Sequence, residues 1–422
     1  MTDAIIAGAV FAAVMILIIS ERVHRTVAAL AGAVFLIASG TVEIDAAVGY
    51  IDFNTIGVLT GMMLMVSVIK CSGIFEYVAV KASKAAGGDP WRIMAALIVV
   101  TAVLSSILDN VTTVLLMGPV TIYVAGALRT DPVPFLITQV MASNIGGTAT
   151  LIGDPPNIMI GSAAGLDFMD FAANNGPVTA IVLITMVICF RVMYGKDMSR
   201  DPLYAGRIMA IDEKSLITDR KLLIKSVVVM IITVFGFVFH SLIGLESSVI
   251  ALASASVMLM ICGRNAEEIV MDIEWPTIMF FTGLFVVVGG IVETGMIDHT
   301  AEIIIHMTGG DRMIAAVMIL WSSALLSSTL DNIPFVATMI PLITALDNGG
   351  MDTSPLWWAL SLGACLGGNG TIIGASANVV MAGISEKNGH PISYMRFFRT
   401  GFPLMIVSVA ICTVYLIAVW HR

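Results

Sequence analysis

Runs of roughly 17 to 20 apolar residues recur along the whole chain, each long enough to cross about 30 Å of hydrocarbon as a single helix. The runs are continuous rather than alternating, which predicts helices and argues against a β-barrel. Hydrophobic residues make up 58% of the 422 and charged residues 12%, too apolar a mix for one water-soluble core of this length. The sequence therefore reads as an all-α polytopic membrane protein, with the lipid bilayer as its first partner. The first run, 4–19, has no basic residue ahead of it and no clear cleavage site behind it, so it reads as a spanning helix rather than a signal peptide.

The chain also repeats itself. "LSSILDN" ends at Asn110 and "LSSTLDN" at Asn332. A shift of about 222 positions aligns "IDFNTI" at Ile51 with "IEWPTI" at Ile273, Gly61 with Gly283, Gly73 with Gly295, and Pro119 with Pro341. One position less aligns "GGTATLIGDPPN" from Gly146 with "GGNGTIIGASAN" from Gly367. Two similar halves follow, 1–200 and 223–422, joined by a cytoplasmic linker at 201–222.

Within the first half, spanning helices are expected near 4–20, 26–40, 54–70 and 177–195, with an amphipathic segment at 74–86. Two short apolar arms, 92–107 and 111–128, meet at the Asp-Asn pair, and a long segment at 133–163 is interrupted. The arms suit a re-entrant hairpin, because non-helical backbone at membrane depth persists only inside protein or along a wet cavity. Five crossings per half, one of them broken, make the second half run in the opposite sense. The basic residues test that topology: with both termini outside, only Arg312 and Arg422 of the 21 Lys and Arg lie outside, as the positive-inside rule requires. Arg22, Arg25, Arg264 and the basic residues of the loop 191–225 all fall on the cytoplasmic side of a cell inner membrane.

Inverted repeats with broken helices are a transporter signature, with the binding site where the repeats face each other. In "NIGGTATLIGDPPN", Gly146 and Gly147 weaken the helix, and Pro155 and Pro156 remove backbone donors. Unwinding there exposes carbonyls at one half-helix end and amides at the other, suited to cations and to anionic or polar groups respectively. Asp109 and Asp331 are carboxylates within apolar segments, and such groups are paired, protonated or exposed to water. Each is a candidate for binding a proton or a cation, or for capping the second hairpin arm. Asp154 lies in the first break only, with Ala375 opposite it in the second, and that asymmetry favours function. Asn144, Thr148, Thr150 and Asn157, with Asn369, Thr371, Ser376 and Asn378, are further candidate ligands for a small polar solute or a cation shell. No Lys or Arg falls inside a predicted span, which favours a neutral or cationic solute over a multivalent anion.

Other chemistries find no support in the sequence. There is no G-x-x-x-x-G-K-[ST] loop, so the chain is not itself an ATP-driven pump, and no hydrolase or zinc motif appears. Its five cysteines, far apart, form no metal or disulfide pattern. No cofactor, metal or nucleic-acid partner is expected. An intramembrane aspartyl protease would need both Asp109 and Asp331 as catalytic acids, and a channel could be built from the same hairpins.

At "LDNVTTVLLMGPVTI", "NIGGTATLIGDPPNIMI" and "LWWALSLGACLGGNGTIIGASANVV" the sequence resembles the arsenical pump membrane protein and P-protein family. That family lies within an ion transporter superfamily that includes sodium/proton antiporters and citrate-like dicarboxylate transporters. The resemblance implies the ion transporter fold, elevator-like movement and a homodimer. It also implies a site lined by Asp109, Asn110, Thr112, Thr113, Asp331 and Asn332 together with the broken helices. The expected function is proton-coupled secondary transport of a small inorganic solute, with arsenite and antimonite efflux first, sodium/proton antiport second and dicarboxylate transport third. Asp109, Asp331 and Asp154 are the expected proton carriers, and the cytoplasmic loop is where an ATPase partner would dock.

Overall fold

In a computed structural model, which describes residues 2–20, 22–196, 198, 202–263 and 265–420, the apolar runs form helices and no strand appears among the described residues. Arg200, Arg264 and Arg422 of the topology argument lie outside those residues. The first series comprises α1 (Thr2–Ser20), α2 (Arg25–Ala38), α3 (Ile44–Tyr50), α4 (Phe53–Lys70) and α5 (Ile74–Ala85). It continues with α6 (Pro90–Ser105), α7 (Asn110–Leu128), α8 (Pro132–Thr148), α9 (Pro155–Ala164) and α10 (Phe168–Tyr194). After α11 (Pro202–Ala210) comes a second series, α12 (Arg220–Ile243), α13 (Ser247–Cys262), α14 (Ala266–Met271), α15 (Trp275–Glu293) and α16 (Met296–Thr308). It ends with α17 (Arg312–Ser327), α18 (Asn332–Asn348), α19 (Ser354–Gly367), α20 (Ser376–Lys387) and α21 (Tyr394–Trp420).

From α4 to α9 and from α15 to α20, each helix begins at the position matching its counterpart, and in some pairs the same local chemistry starts both. Asp89 and Asp311 cap α6 and α17 through their carboxylates, satisfying amides that have no partner inside the helix. Gly73 and Gly295, at φ 77° and 72°, begin α5 and α16 in the left-handed region that side-chain-bearing residues avoid. Among the described residues, seven helices (α1, α4, α7, α10, α12, α15 and α21) are long and apolar enough to cross a membrane singly. With 14 and 16 residues, α2 and α13 span only about 21 to 24 Å at 1.5 Å per residue.

The helices pack into two blocks. One contains α1 to α4 with α12, α13 and α15, where α4 lies along α13 and α15 along α2. A Cβ added at Gly61 would sit 2.6 Å from the Ala251 backbone, and one at Gly283 would sit 2.7 Å from that of Ala29. Small residues at both crossings thus let backbones touch, the usual basis of close helix pairing in lipid. The second block contains α6 to α10 and α17 to α21, with α8 and α19 at its centre. Both are buried along nearly their whole length, apart from Pro134 and Ser354 in their first turns.

Two expectations require correction. Instead of beginning at 177, α10 begins at Phe168, because Asp167 and Asp170 form a reciprocal capping box. The polar "FAANN" stretch then lies inside a helix, where buried Asn175 donates to the Thr148 carbonyl and the Ser361 hydroxyl. The linker is also more ordered than its composition suggests. It forms α11 and a 3-10 turn at Glu213–Leu216, tied to α5 by the Lys84–Glu213 ion pair at 2.6 Å and to the turn ahead of α5 by the Thr218 amide on the Ser72 carbonyl.

Candidate transport site

The first hairpin tip is buried in the protein from Leu108 to Asn110, whereas the second is exposed at Thr329 and half-buried at Leu330 and Asp331. Asp109 caps α7, accepting the Thr112 amide at 2.8 Å and the Thr112 hydroxyl, while the Thr113 hydroxyl donates to the Asp109 carbonyl. Asp331 caps α18 more weakly, accepting the Ile333 amide at 3.3 Å. The capping role is therefore real at both tips. At Asp109 it occupies both carboxylate oxygens, whereas at Asp331 one oxygen is left for other partners.

The two broken helices are held open by one device used twice. Asn157 donates to the carbonyls of Gly147, Thr148 and Thr150, and Asn378 donates to those of Gly368 and Thr371. The hydroxyls of Thr150 and Thr371 reach the Ser106 and Ser328 carbonyls at the hairpin turns. Thr148 returns its hydroxyl to the Asn144 carbonyl, and Gly146 and Gly147 lie against Ala102 and Gly153. Asn144 joins the halves: its amide donates to the side chains of Asn369 and Asn378 at 3.0 Å each, and its oxygen accepts from Asn110. Much of the predicted polar set thus satisfies unwound backbone, which must find partners once removed from water.

The remaining residues converge on a cavity of about 20 Å³ between the blocks, roughly enough for one water or one small ion. Asp109, Asn110, Val111, Asp154, Pro155, Asn332, Ile333 and Ser376 line it from the second block. Asp154, at the start of α9, caps nothing with its side chain and faces the Asn332 amide at 3.4 and 3.5 Å. Cys365 is buried near Asn157 and does not line the cavity.

Facing them from the first block are Arg25, Leu59, Met63, Glu274 and Thr277, none of them expected in the site. Arg25 places Nη1 2.6 Å from Asp331 Oδ2 and 2.5 Å from Ser376 Oγ, and Nη2 3.3 Å from Thr277 Oγ1. Its guanidinium also lies over the Phe280 ring at 5.1 Å. Ser376 donates to the same Asp331 oxygen at 2.8 Å. The expectation that no basic side chain reaches the site is therefore corrected. Arg25 begins a short helix whose first turn is pinned to α15 by the Thr26 hydroxyl on the Pro276 carbonyl, 2.7 Å. Its side chain lies beside a vestibule of about 440 Å³ whose walls are mostly apolar, among them Phe11, Ile18, Phe335 and Val379, and which Arg25, Asp331 and Ser376 also line.

Four carboxylates and one guanidinium meeting at the boundary between helix blocks can bind protons or a small cation, and can trade either for the cation of an arginine. Residues 15–363 match the family described as "Citrate transporter". The chain belongs to the citrate transporter family. It is similar to an uncharacterised transporter of Mycobacterium tuberculosis, 42% identical over 99% of this chain and 98% of the relative. It is also similar to the P protein of Homo sapiens, 36% identical over 99% of this chain and 60% of the relative. Among solved structures, the Alcanivorax borkumensis YdaH transporter covers 88% of this chain and 86% of its own with a TM-score of 0.60 at 15% identity, a likeness of fold. This family member is thus a membrane-embedded secondary transporter with the ion transporter fold, and not an enzyme.

Proposed function

We propose that the protein exchanges protons for a small monovalent cation such as sodium or lithium, by elevator-like movement of the hairpin block against the other. The reading rests on Asp109, Asp154 and Glu274 facing one cavity of about 20 Å³, with Asp331 alongside. Fully ionised, that set outweighs the single charge of Arg25, which attracts a cation and repels a dianion. Proton and cation then compete for the same oxygens, and binding either neutralises charge that cannot cross hydrocarbon bare. The repeats supply the two end states, and in the expected topology the Arg25 vestibule faces the cytoplasm.

A carboxylate cargo is the second reading, favoured by Arg25 and by the family's description. A guanidinium is the natural bidentate partner of a carboxylate, and the vestibule beside it has room for an organic acid. Arsenite falls behind both: the resemblance alone implies it, and a neutral trihydroxide makes little use of the charged groups facing the cavity.

Purified protein in liposomes with an imposed pH gradient and an internal pH dye tests these readings. Proton flux on adding sodium or lithium is the expected result. Flux only with citrate or succinate would install the carboxylate reading, flux only with arsenite or antimonite would restore efflux, and silence with all of them would overturn proton-coupled exchange.

A further inference from the structure

The block boundary is mostly apolar, yet an ion pair crosses it. Arg25 belongs to α2, which packs on α1 and α15, whereas Asp331 and Ser376 begin α18 and α20 in the other block. Sliding one block along the other by more than about 1 Å takes a 2.6 Å contact beyond hydrogen-bonding range. The pair is only partly wet, with side-chain exposures of 25% and 13%, so water compensates its loss incompletely.

The repeat says what the alternate state would have in its place. In a protein built from inverted repeats, the second end state is approximated by letting each half take the other's conformation. Under that exchange Arg25 becomes Ser247, Asp331 becomes Asp109, and Ser376 becomes Pro155. A serine is too short and uncharged to replace a guanidinium, and a proline has no hydroxyl. On the opposite face, the polar contacts between the blocks among the described residues include no ion pair: the Ser162 hydroxyl donates to Asp52 and the Ser241 hydroxyl to Asp167, both at 3.0 Å, and the Asn54 amide donates to the Ser162 hydroxyl at 3.4 Å. A charge-paired tie exists in one end state and has no counterpart in the other.

We infer that Arg25 is a positioning residue that latches the empty carrier in the present state through Asp331 and Ser376, and that withdrawal of the Asp331 carboxylate by proton or cargo frees the block to move. The inference rests on the elevator movement of the proposed function, but not on which cargo is carried. His24 from α2, Glu274 and Thr277 from α15, and Asp109 and Asp154 across the cavity are the titratable and polar groups that face the pair. The latch explains how a carrier with several carboxylates facing one cavity avoids cycling while empty.

The test reads conformation, not transport. On the opposite face a cavity of about 300 Å³ is lined by Asn54, Ser162, Ser241 and the buried Ser247, among others. Thr329→Cys reports the Arg25 side and Ser247→Cys this opposite cavity, both through labelling by a membrane-impermeant maleimide, with the five native cysteines as the background. Arg25→Gln should lower the ratio of Thr329→Cys to Ser247→Cys labelling about tenfold, as loss of a state-specific contact shifts a two-state equilibrium. Arg25→Lys should restore part of it. Asp331→Asn should match Arg25→Gln, and the double variant should add nothing further, because both break one contact. An unchanged ratio in folded Arg25→Gln, or additive shifts in the double variant, would overturn the latch. If Arg25→Gln does not fold, Asp331→Asn alone decides by the same ratio. Shifted labelling in a protein that exchanges no protons would retain the latch and remove the proposed function; normal exchange with unshifted labelling would do the reverse.

Discussion

The two hairpin tips share six of seven residues, "LSSILDN" and "LSSTLDN", yet their carboxylates have different employment. Asp109 is held by its own helix, through the amide and hydroxyl of Thr112. At the matching place in the second copy stands Pro334, which has neither an amide hydrogen nor a hydroxyl. Asp331 therefore keeps one oxygen for Arg25 and Ser376. The residues just beyond the repeat, not the repeat itself, decide whether a carboxylate closes on its own helix or reaches across to another.

The largest expected effect comes from removing each carboxylate in turn. Asp331→Asn and Asp109→Asn should both abolish cation-driven proton flux in liposomes, since each removes one titrating group. Their stabilities should differ. Asp331→Asn leaves Arg25 without its partner, which for a partly exposed pair costs about 1–2 kcal/mol. Asn caps a helix as well as Asp does, so Asp109→Asn should cost less than about 0.5 kcal/mol. Thermal melts in detergent alongside the flux assay measure both. Normal flux in Asp109→Asn would reduce that residue to a helix cap and leave Asp331 as the working carboxylate.

Much of this arrangement was legible in the sequence because it is written twice. The paired tips and the two glycine-bearing breaks follow from repeated residue types with plain backbone consequences. What was not legible concerns direction. A basic residue at the start of a short helix looks like a membrane-face anchor, and only the packing of α2 on α15 shows that Arg25 turns inward. Glu274 leaves a signal in the sequence, since "IEWPTI" aligns with "IDFNTI" and keeps an acidic residue opposite Asp52. Asn157, Asn378, Thr150 and Thr371 show the converse. Their polarity reads as ligands for a solute, and the structure spends it on the carbonyls of the unwound turns.

Where the halves are truly equivalent, equivalent changes should do equal damage, which gives the comparison its control. Gly61→Val and Gly283→Val each push a side chain into the backbone of the neighbouring helix, at Ala251 and Ala29. Overpacking of this kind costs about 1–3 kcal/mol, and the two melting temperatures should fall by similar amounts. A fall confined to one variant would mean that α4 on α13 and α15 on α2 contribute unequally, and that the asymmetry reaches beyond the tips.

The smallest effect is the most discriminating. Pro334→Thr gives the second tip the donors of the first, so that Asp331 gains an amide and a hydroxyl from its own helix in competition with Arg25. A hydrogen bond of this kind contributes about 1 kcal/mol net, enough to move the labelling ratio of the two faces by about threefold to fivefold in the direction of Arg25→Gln, with proton exchange retained. The reciprocal Thr112→Pro removes both donors from Asp109, costing about 1–2 kcal/mol of stability, but it should leave the ratio unchanged because no arginine waits for the released oxygen. If Pro334→Thr also leaves the ratio unchanged, Arg25 holds Asp331 whatever the hairpin offers. The difference between the tips would then originate in α2, and Pro334 would be its accompaniment rather than its cause.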